Sequence, residues 1–256
     1  MQPLSTWIIA ALLALLIVAN AWRIRALNTS GAIAAVLLGT MVVGSSGWWP
    51  GVALVTFFAT SSLLSRIGRE QHQARGARRD WVQVLANGWP VLIGGLAWAI
   101  TDSDIWLLFG VGGIAAATAD TWSSELGKLS TSPPRLITSW RVVSPGTSGA
   151  VSVLGTIVSF AGALLIGAIA GVAYGAAALI GITVAGILGG LVDSLLGATV
   201  QERRYCDTCH KHTEANPHHC GNPTRFVGGI RFINNDIVNM ACVFAGAIVG
   251  ALSGIL

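Results

Sequence analysis

Apolar residues in this chain fall into long runs, with neither the strict alternation of a strand nor the one-sided stripe of a surface helix. Eight runs approach the roughly 20 apolar residues that carry an α-helix across a hydrocarbon core. They occupy 4–22, 29–46, 48–65, 81–100, 105–119, 149–171, 174–200 and 236–256. The second and fifth are the weakest, being short and rich in small residues. The pattern predicts an all-α, polytopic membrane helix bundle of about eight transmembrane helices, forming a single integral membrane domain over residues 1–256. Polar positions collect between the runs, in two segments long enough to matter. One is 66–80. The other, 201–235, is predicted as a small metal-binding loop inserted before the last helix.

Composition agrees with this reading. Hydrophobic residues make up 53% of the 256 and charged residues only 10%, whereas a soluble domain carries about a quarter charged residues. The charges add an orientation. Lys and Arg concentrate in short cytoplasmic loops. With Met1 outside and the runs alternating, the inside receives Arg23, Arg25, Arg66, Arg69, Arg75, Arg78 and Arg79. It also receives Lys128, Arg135, Arg141, Arg203, Arg204, Lys211, Arg225 and Arg231, which completes the 15 basic residues. The outer loops carry only Asp102 and Asp104. Both termini are therefore expected outside, and the net charge of +4 reflects topology and implies no nucleic acid. The first run lacks a basic leading segment, and Asn20-Ala21-Trp22-Arg23 is a poor cleavage site, so it reads as a retained helix. Most of the 32 glycines are expected to serve close helix packing.

Candidate chemistry gathers at the predicted cytosolic ends of the runs. The fifth ends in Asp120, Thr121, Ser123, Ser124, Glu125 and Lys128, and carboxylates at the hydrocarbon edge are usually functional. On a helix Asp120 shares a face with Ser124, while Glu125 faces Thr121 and Lys128. Either the helix breaks there or the two carboxylates have different roles. Arg135 follows as a possible bidentate phosphate clamp. The turn Pro145-Gly146-Thr147-Ser148-Gly149 is expected to open the sixth run, where unpaired N–H groups and glycine suit a phosphate. Asp193 lies within the seventh run; a buried lone carboxylate is too costly to keep for packing, which favours a metal role. Asp80, Gln83 and Asn87 lead into the fourth run, and Asn235, Asp236 and Asn239 into the last. Carboxylates beside Arg, Lys and phosphate-accepting turns suit Mg²⁺–nucleotide chemistry. The intramembrane setting suggests a lipid acceptor whose phosphate or hydroxyl lies at the interface.

The segment 201–235 carries Cys206, Cys209, then His218, His219 and Cys220. Two cysteines two apart followed by His and Cys form a Cys₃His zinc pattern. Cytosolic placement disfavours disulfides, and zinc would staple a segment with few apolar residues. His210 and His212 are spare ligands, and Cys242, in the last run, reads as packing.

Together these motifs resemble a membrane family known as domain of unknown function 92. It includes the transmembrane protein 19 group and the plant-type phytyl-phosphate kinases of tocopherol synthesis. The matching stretches are Arg79-Asp80 through Gly88, Thr118 through Gly127, Pro134 through Thr138, Pro145 through Gly149, Asp193 through Thr199, and Asn235 through Asn239. The resemblance implies CTP-favoured conversion of an isoprenyl monophosphate, such as phytyl phosphate, to its diphosphate. It implies that Asp120, Glu125 and Asp193 hold Mg²⁺ and nucleotide phosphates. Arg135 and Lys128 would neutralise charge, and Gly146, Thr147 and Gly149 would line the phosphate turn. The resemblance also favours His218 over His219 as the zinc ligand. A carrier of polyprenyl phosphates is the alternative, but it needs a polar path on both faces, and the outer loops offer almost none.

Overall fold

The computed structural model describes residues 2–72, 78–214, 216–218 and 220–255. Arg75 and His219 lie outside the described residues, as do the side chains of Arg69, Lys211 and His212. Among the described residues the chain forms eight α-helices: α1 (Leu4–Arg23), α2 (Thr29–Ser46), α3 (Trp48–His72), α4 (Trp81–Thr101), α5 (Ile105–Gly127), α6 (Val153–Tyr174), α7 (Ala176–Thr199) and α8 (Asn235–Ser253). Two small sheets complete the fold. One pairs β1 (Arg135–Leu136) with β2 (Ala150–Val151); the other orders β3 (Arg203–Cys206), β4 (Lys211–Thr213) and β5 (Arg225–Gly228) as β4-β3-β5, all antiparallel. This is an integral membrane helix bundle, as the apolar runs predict.

Seven helices are long and apolar enough to cross a membrane; α3 is the one that falls short among the described residues. Thr56, Thr60, Ser61, Ser62 and Ser65 dilute its apolar run. The expectation that the second and fifth runs are weakest thus left out α3, while α5 remains the least apolar of the seven, and packing supplies the reason. α5 is the central helix: every residue from Leu107 to Ala119 is buried, and it packs on α3, α4, α6, α7 and α8. A helix enclosed on all sides needs small residues for backbones to approach. A Cβ on Gly112 would stand 2.5 Å from the Gly246 carbonyl oxygen and 2.9 Å from Gly250 Cα, both on α8.

The helix boundaries place the chemistry. α5 continues unbroken to Gly127, past the expected end at 119. α6 starts later than expected, at Val153. Its N-cap is Ser152, whose Oγ accepts from Gly155 N at 3.1 Å. The Gly146–Gly149 turn therefore does not form the N-terminus of the sixth helix. It precedes β2, and the segment between α5 and α6 folds back as a hairpin in which Ile137 N donates to Gly149 O at 3.0 Å.

One end of the bundle collects nearly all the polar connections. The α1–α2 turn is stitched to the segment before α4, where Asn28 N donates to Arg79 O and Arg79 N to Ala26 O. α3 meets α5 there through Ser65 and Glu125, and α5 meets the start of α6 through Ser152 and Gly127. The β1–β2 hairpin and the three-stranded ribbon sit at the same end. Every described basic residue lies within the last two turns of these helices or beyond them.

Candidate functional site

The site is built around two helices. Asp120 on α5 and Asp193 on α7 bring their carboxyl groups within hydrogen-bonding reach of each other. The approach follows from small residues: Gly189 packs on Ala116, and Gly190 faces Ala119 and the Asp120 backbone. No N–H or hydroxyl of the described residues reaches Asp193 Oδ1, which is buried. Two facing carboxylates repel, so such a pair holds either a proton or a cation between them. An all-oxygen donor pair with an unsatisfied buried oxygen fits a hard divalent ion such as Mg²⁺. Cys242 lies close by on α8, buried, with Sγ 3.9 Å from Ala116 O.

Glu125 is not part of that pair. Because α5 stays helical, Glu125 points elsewhere: Oε1 accepts from Ser65 Oγ of α3 at 2.7 Å, and Oε2 lies 3.8 Å from Lys128 Nζ. Of the two sequence possibilities, different roles is the one the helix allows. Glu125 and Lys128 remain near enough to act electrostatically on Asp120. Ser124 stays on its own helix, donating to Asp120 O at 3.0 Å.

The glycine turn approaches α7 from outside. Gly149 has φ +74, a conformation that favours glycine, and a Cβ there would collide with the Ala198 backbone nitrogen. Thr147 Oγ1 donates to Ser144 O at 2.7 Å, and Ser148 Oγ donates to Glu214 of the ribbon. Gly146 faces open space. Glu214 in turn lies within electrostatic range of Asp193, so hairpin and ribbon lie at the same end of α7 as the acid pair. Arg135 does not join it: the guanidinium is exposed and Nη1 donates to Trp140 O at 2.8 Å.

The polar leads into α4 and α8 are largely used as caps. Asp80 Oδ1 accepts from Gln83 N at 3.0 Å, Gln83 Oε1 accepts from Asp80 N at 3.4 Å, and Asn87 Nδ2 donates to Gln83 O at 3.0 Å. This is a capping box. Asn234 caps α8, accepting from Ile237 N at 3.1 Å. Asn235, Asp236 and Asn239 follow on the first turns, and Asp236 lies within electrostatic range of Asp80.

The ribbon gathers Cys206, Cys209, His218 and Cys220, with all four ligand atoms within 4.8 Å of one another. No disulfide joins them. Cys206 Sγ and Cys220 Sγ are 3.7 Å apart; two thiolates at about 2.3 Å from one tetrahedral zinc would be about 3.8 Å apart. His218 Nδ1 lies 3.1 Å from Cys220 Sγ. That contact and the Asn222 backbone push the Cys220 thiol down to about 6, whereas contact with Cys220 pushes Cys209 up to about 11. The residues present fit a structural zinc.

Three participants escaped sequence reasoning. Ser65 is 60 positions from Glu125, and no local signal pairs them. Glu214 reads as one more polar residue of a polar loop. Ser62 lies mid-helix, with a buried hydroxyl that has no partner among the described residues.

Comparison with known proteins places this arrangement among membrane proteins. Residues 12–247 match the family described as integral membrane protein DUF92. An uncharacterized membrane protein of Methanocaldococcus jannaschii is 33% identical over 234 residues, covering 89% of this chain and 86% of the relative. Protein PGR of Arabidopsis thaliana is 30% identical over 287 residues, covering 99% and 98%. The chloroplastic protein VTE6 of Arabidopsis thaliana is 24% identical over 250 residues, covering 90% of this chain and 66% of the relative. No solved structure matches.

Proposed function

The chain belongs to the DUF92 family of integral membrane proteins, and from that premise we propose that it is a nucleotide-dependent, CTP-favoured kinase converting an isoprenyl monophosphate to its diphosphate. The observation that carries the reading is the Asp120–Asp193 pair, two facing carboxyls with an unsatisfied oxygen, with Lys128 in electrostatic range of Asp120 and the glycine turn packed on the same helix as Asp193. The family resemblance of the sequence motifs supports the same chemistry, and the concentration of basic residues at this end supports a cytosol-facing site with both termini outside.

In this reading a phosphate oxygen of the prenyl monophosphate attacks the nucleotide γ-phosphorus. The bond between that phosphorus and the β,γ-bridging oxygen breaks, and the nucleoside diphosphate leaves. The acceptor is already anionic, so no side chain need remove a proton. The obstacle is repulsion between two polyanions, and positioning and charge neutralisation are what such a transfer asks of a protein. Asp120 and Asp193 would hold Mg²⁺, which supplies charge neutralisation at the phosphates when bound. Lys128, tethered by Glu125, contributes a further positive charge. The backbone at Gly146, which faces open space, would be the part of the turn that meets phosphate oxygens.

The carrier alternative is weakened by the other end of the bundle, where Asp102 and Asp104 are the charged residues. The test uses purified protein with CTP and other nucleotides against phytyl, geranylgeranyl and longer prenyl monophosphates. Diphosphate formation, lost in Asp193→Asn, is expected. No product from any pair, with no thermal stabilisation by nucleotide, would overturn the kinase and promote the carrier.

A further inference from the structure

A second polar feature lies at the same end, on the α1–α4 side. Arg25, Arg66 and Arg79 line one small pocket together with Ser62 and Ser65. The three cations come from three separate segments: the α1–α2 turn, the C-terminal part of α3, and the lead into α4. Like charges do not gather in one pocket without reason. Among the described residues Arg25 and Arg66 have no carboxylate partner; Arg66 Nη2 donates to Ile24 O at 2.7 Å. Ser62 Oγ is buried in this wall with no partner among the described residues, and an unmet buried hydroxyl is a cost that a ligand can remove. An inward bias of basic residues explains which end they occupy. It does not explain three of them converging on an unsatisfied hydroxyl.

Beside this pocket, with Arg79 lining both, an apolar groove encloses about 90 Å³ between α1, α2, α3 and α4. Ile17, Leu38, Leu54, Phe57 and Phe58 form its walls. Arg79 belongs to both spaces, and its guanidinium sits 5.9 Å from the ring centroids of Phe57 and Phe58. The junction is rigid, because the Arg79 backbone is bonded to Ala26 and Asn28 and bridged to Leu27. On the other side, Ser65 in the pocket wall donates to Glu125. Cations at the head, an apolar channel behind them and one hydroxyl separating them from Glu125 describe the two halves of an amphiphilic anion.

We propose that this is the acceptor site: Arg25, Arg66 and Arg79 with Ser62 bind the monophosphate of a single-chain prenyl lipid whose tail lies in the α1–α4 groove. The lipid class rests on the kinase reading; the head-and-tail assignment rests on the geometry. Arginine suits this role because its planar fork meets phosphate oxygens in pairs. The arrangement enters phosphate from the α3 side, while the glycine turn lies on the α7 side. The two polyanionic reactants would thus approach the acid pair from different directions.

Equilibrium binding of farnesyl and phytyl monophosphate, without nucleotide, tests the proposal in detergent-purified full-length protein. Phytol, inorganic phosphate and phosphatidic acid are the comparison ligands. Wild type should prefer the prenyl monophosphates, and Arg25→Gln with Arg66→Gln should weaken them about tenfold or more, as expected for lost charge-assisted bonds. Ala35→Phe, which fills the groove, should weaken phytyl more than farnesyl monophosphate, and it reads out the tail separately should the arginine variant fold poorly. Binding equal to wild type in the arginine variant, or no preference over phytol and phosphatidic acid, overturns the site. Turnover is assayed in parallel so that the two readings fail separately. Wild-type binding without turnover defeats the kinase but leaves the site, and turnover unaffected by Arg25→Gln with Arg66→Gln does the reverse.

Discussion

Two carboxyl groups pressed together between α5 and α7 make a residue-level conflict that a metal or a proton must resolve. Asp120→Asn or Asp193→Asn puts an amide donor against the remaining carboxylate, so the metal-free fold should be retained or stabilised in a thermal melt. Turnover should nevertheless fall by about 100- to 1000-fold or more, the range for losing a preorganised electrostatic group. A melt in which either variant unfolds outright would mean the pair is structural. Glu202 gives a pH prediction away from the bundle. Its Oε2 accepts from Phe232 N at 2.7 Å and it pairs with Arg204, and the Phe232 bond first, then Arg204, holds its carboxyl below the ordinary range. A carboxyl with a lowered folded value favours folding above the usual carboxylate range, and that contribution is lost as pH falls through the folded value. Hydrogen-exchange protection of the ribbon, relative to the intrinsic rate at each pH, should therefore fall on acidification, and more steeply in wild type than in Glu202→Gln. Asp120, Asp193 and Glu125 were readable as special because carboxylates in apolar runs are rare. Their partners were not, since Ser65 and Glu214 meet them only through folding.

At the scale of elements, α5 and the ribbon make different demands. α5 is enclosed by five helices, and its glycines set how near α8 can come. Gly112→Leu should push α8 away and destabilise the bundle by about 1–3 kcal/mol, the usual cost of overpacking; an unchanged midpoint in a detergent melt would contradict this. The ribbon has little core of its own, so metal should hold it. Purification without chelator should yield about one zinc per chain, lost in Cys206→Ser with Cys209→Ser. Full metal content in that variant would remove the zinc reading. Because Ser148 donates to Glu214, loss of zinc should also loosen the glycine turn, raising the nucleotide KM more than it lowers kcat. Helix existence was legible from the apolar runs. The ends of α5 and the start of α6 were not, because Asp120 to Gly127 and the 145–149 turn look polar whether or not they are helical.

For the whole molecule, the gathering of basic residues and of eight helix ends at one pole predicts a polar, cytosol-facing cap and a nearly bare opposite face. Single cysteines at positions 102 and 173, in a background without the native thiols, should react with an impermeant reagent from outside only. Reaction from the cytosolic side at either position would reverse the orientation and remove the cytosolic placement of the proposed site. α3 is the helix whose polarity most tests the count of eight crossings, and Asp102 and Asp104 lie one crossing beyond it, so the same labels report on it directly.

What the sequence determined by itself follows from solvent physics. Long apolar runs cannot stay in water, Lys and Arg are retained on one side of the bilayer, and a Cys₃His spacing announces its ligand set. These signals are local, or sum along the chain. Tertiary structure alone decided that Asp120 meets Asp193 and not Glu125, because a continuous helix turns the two carboxyls of α5 apart by about 500° over five residues. It also decided that the glycine turn lies on α7 and does not head α6, and that arginines 41 and 13 positions apart share one pocket beside an apolar groove. Those are choices of helix phase and neighbour, fixed by how glycine faces pack, and no run of residues carries them.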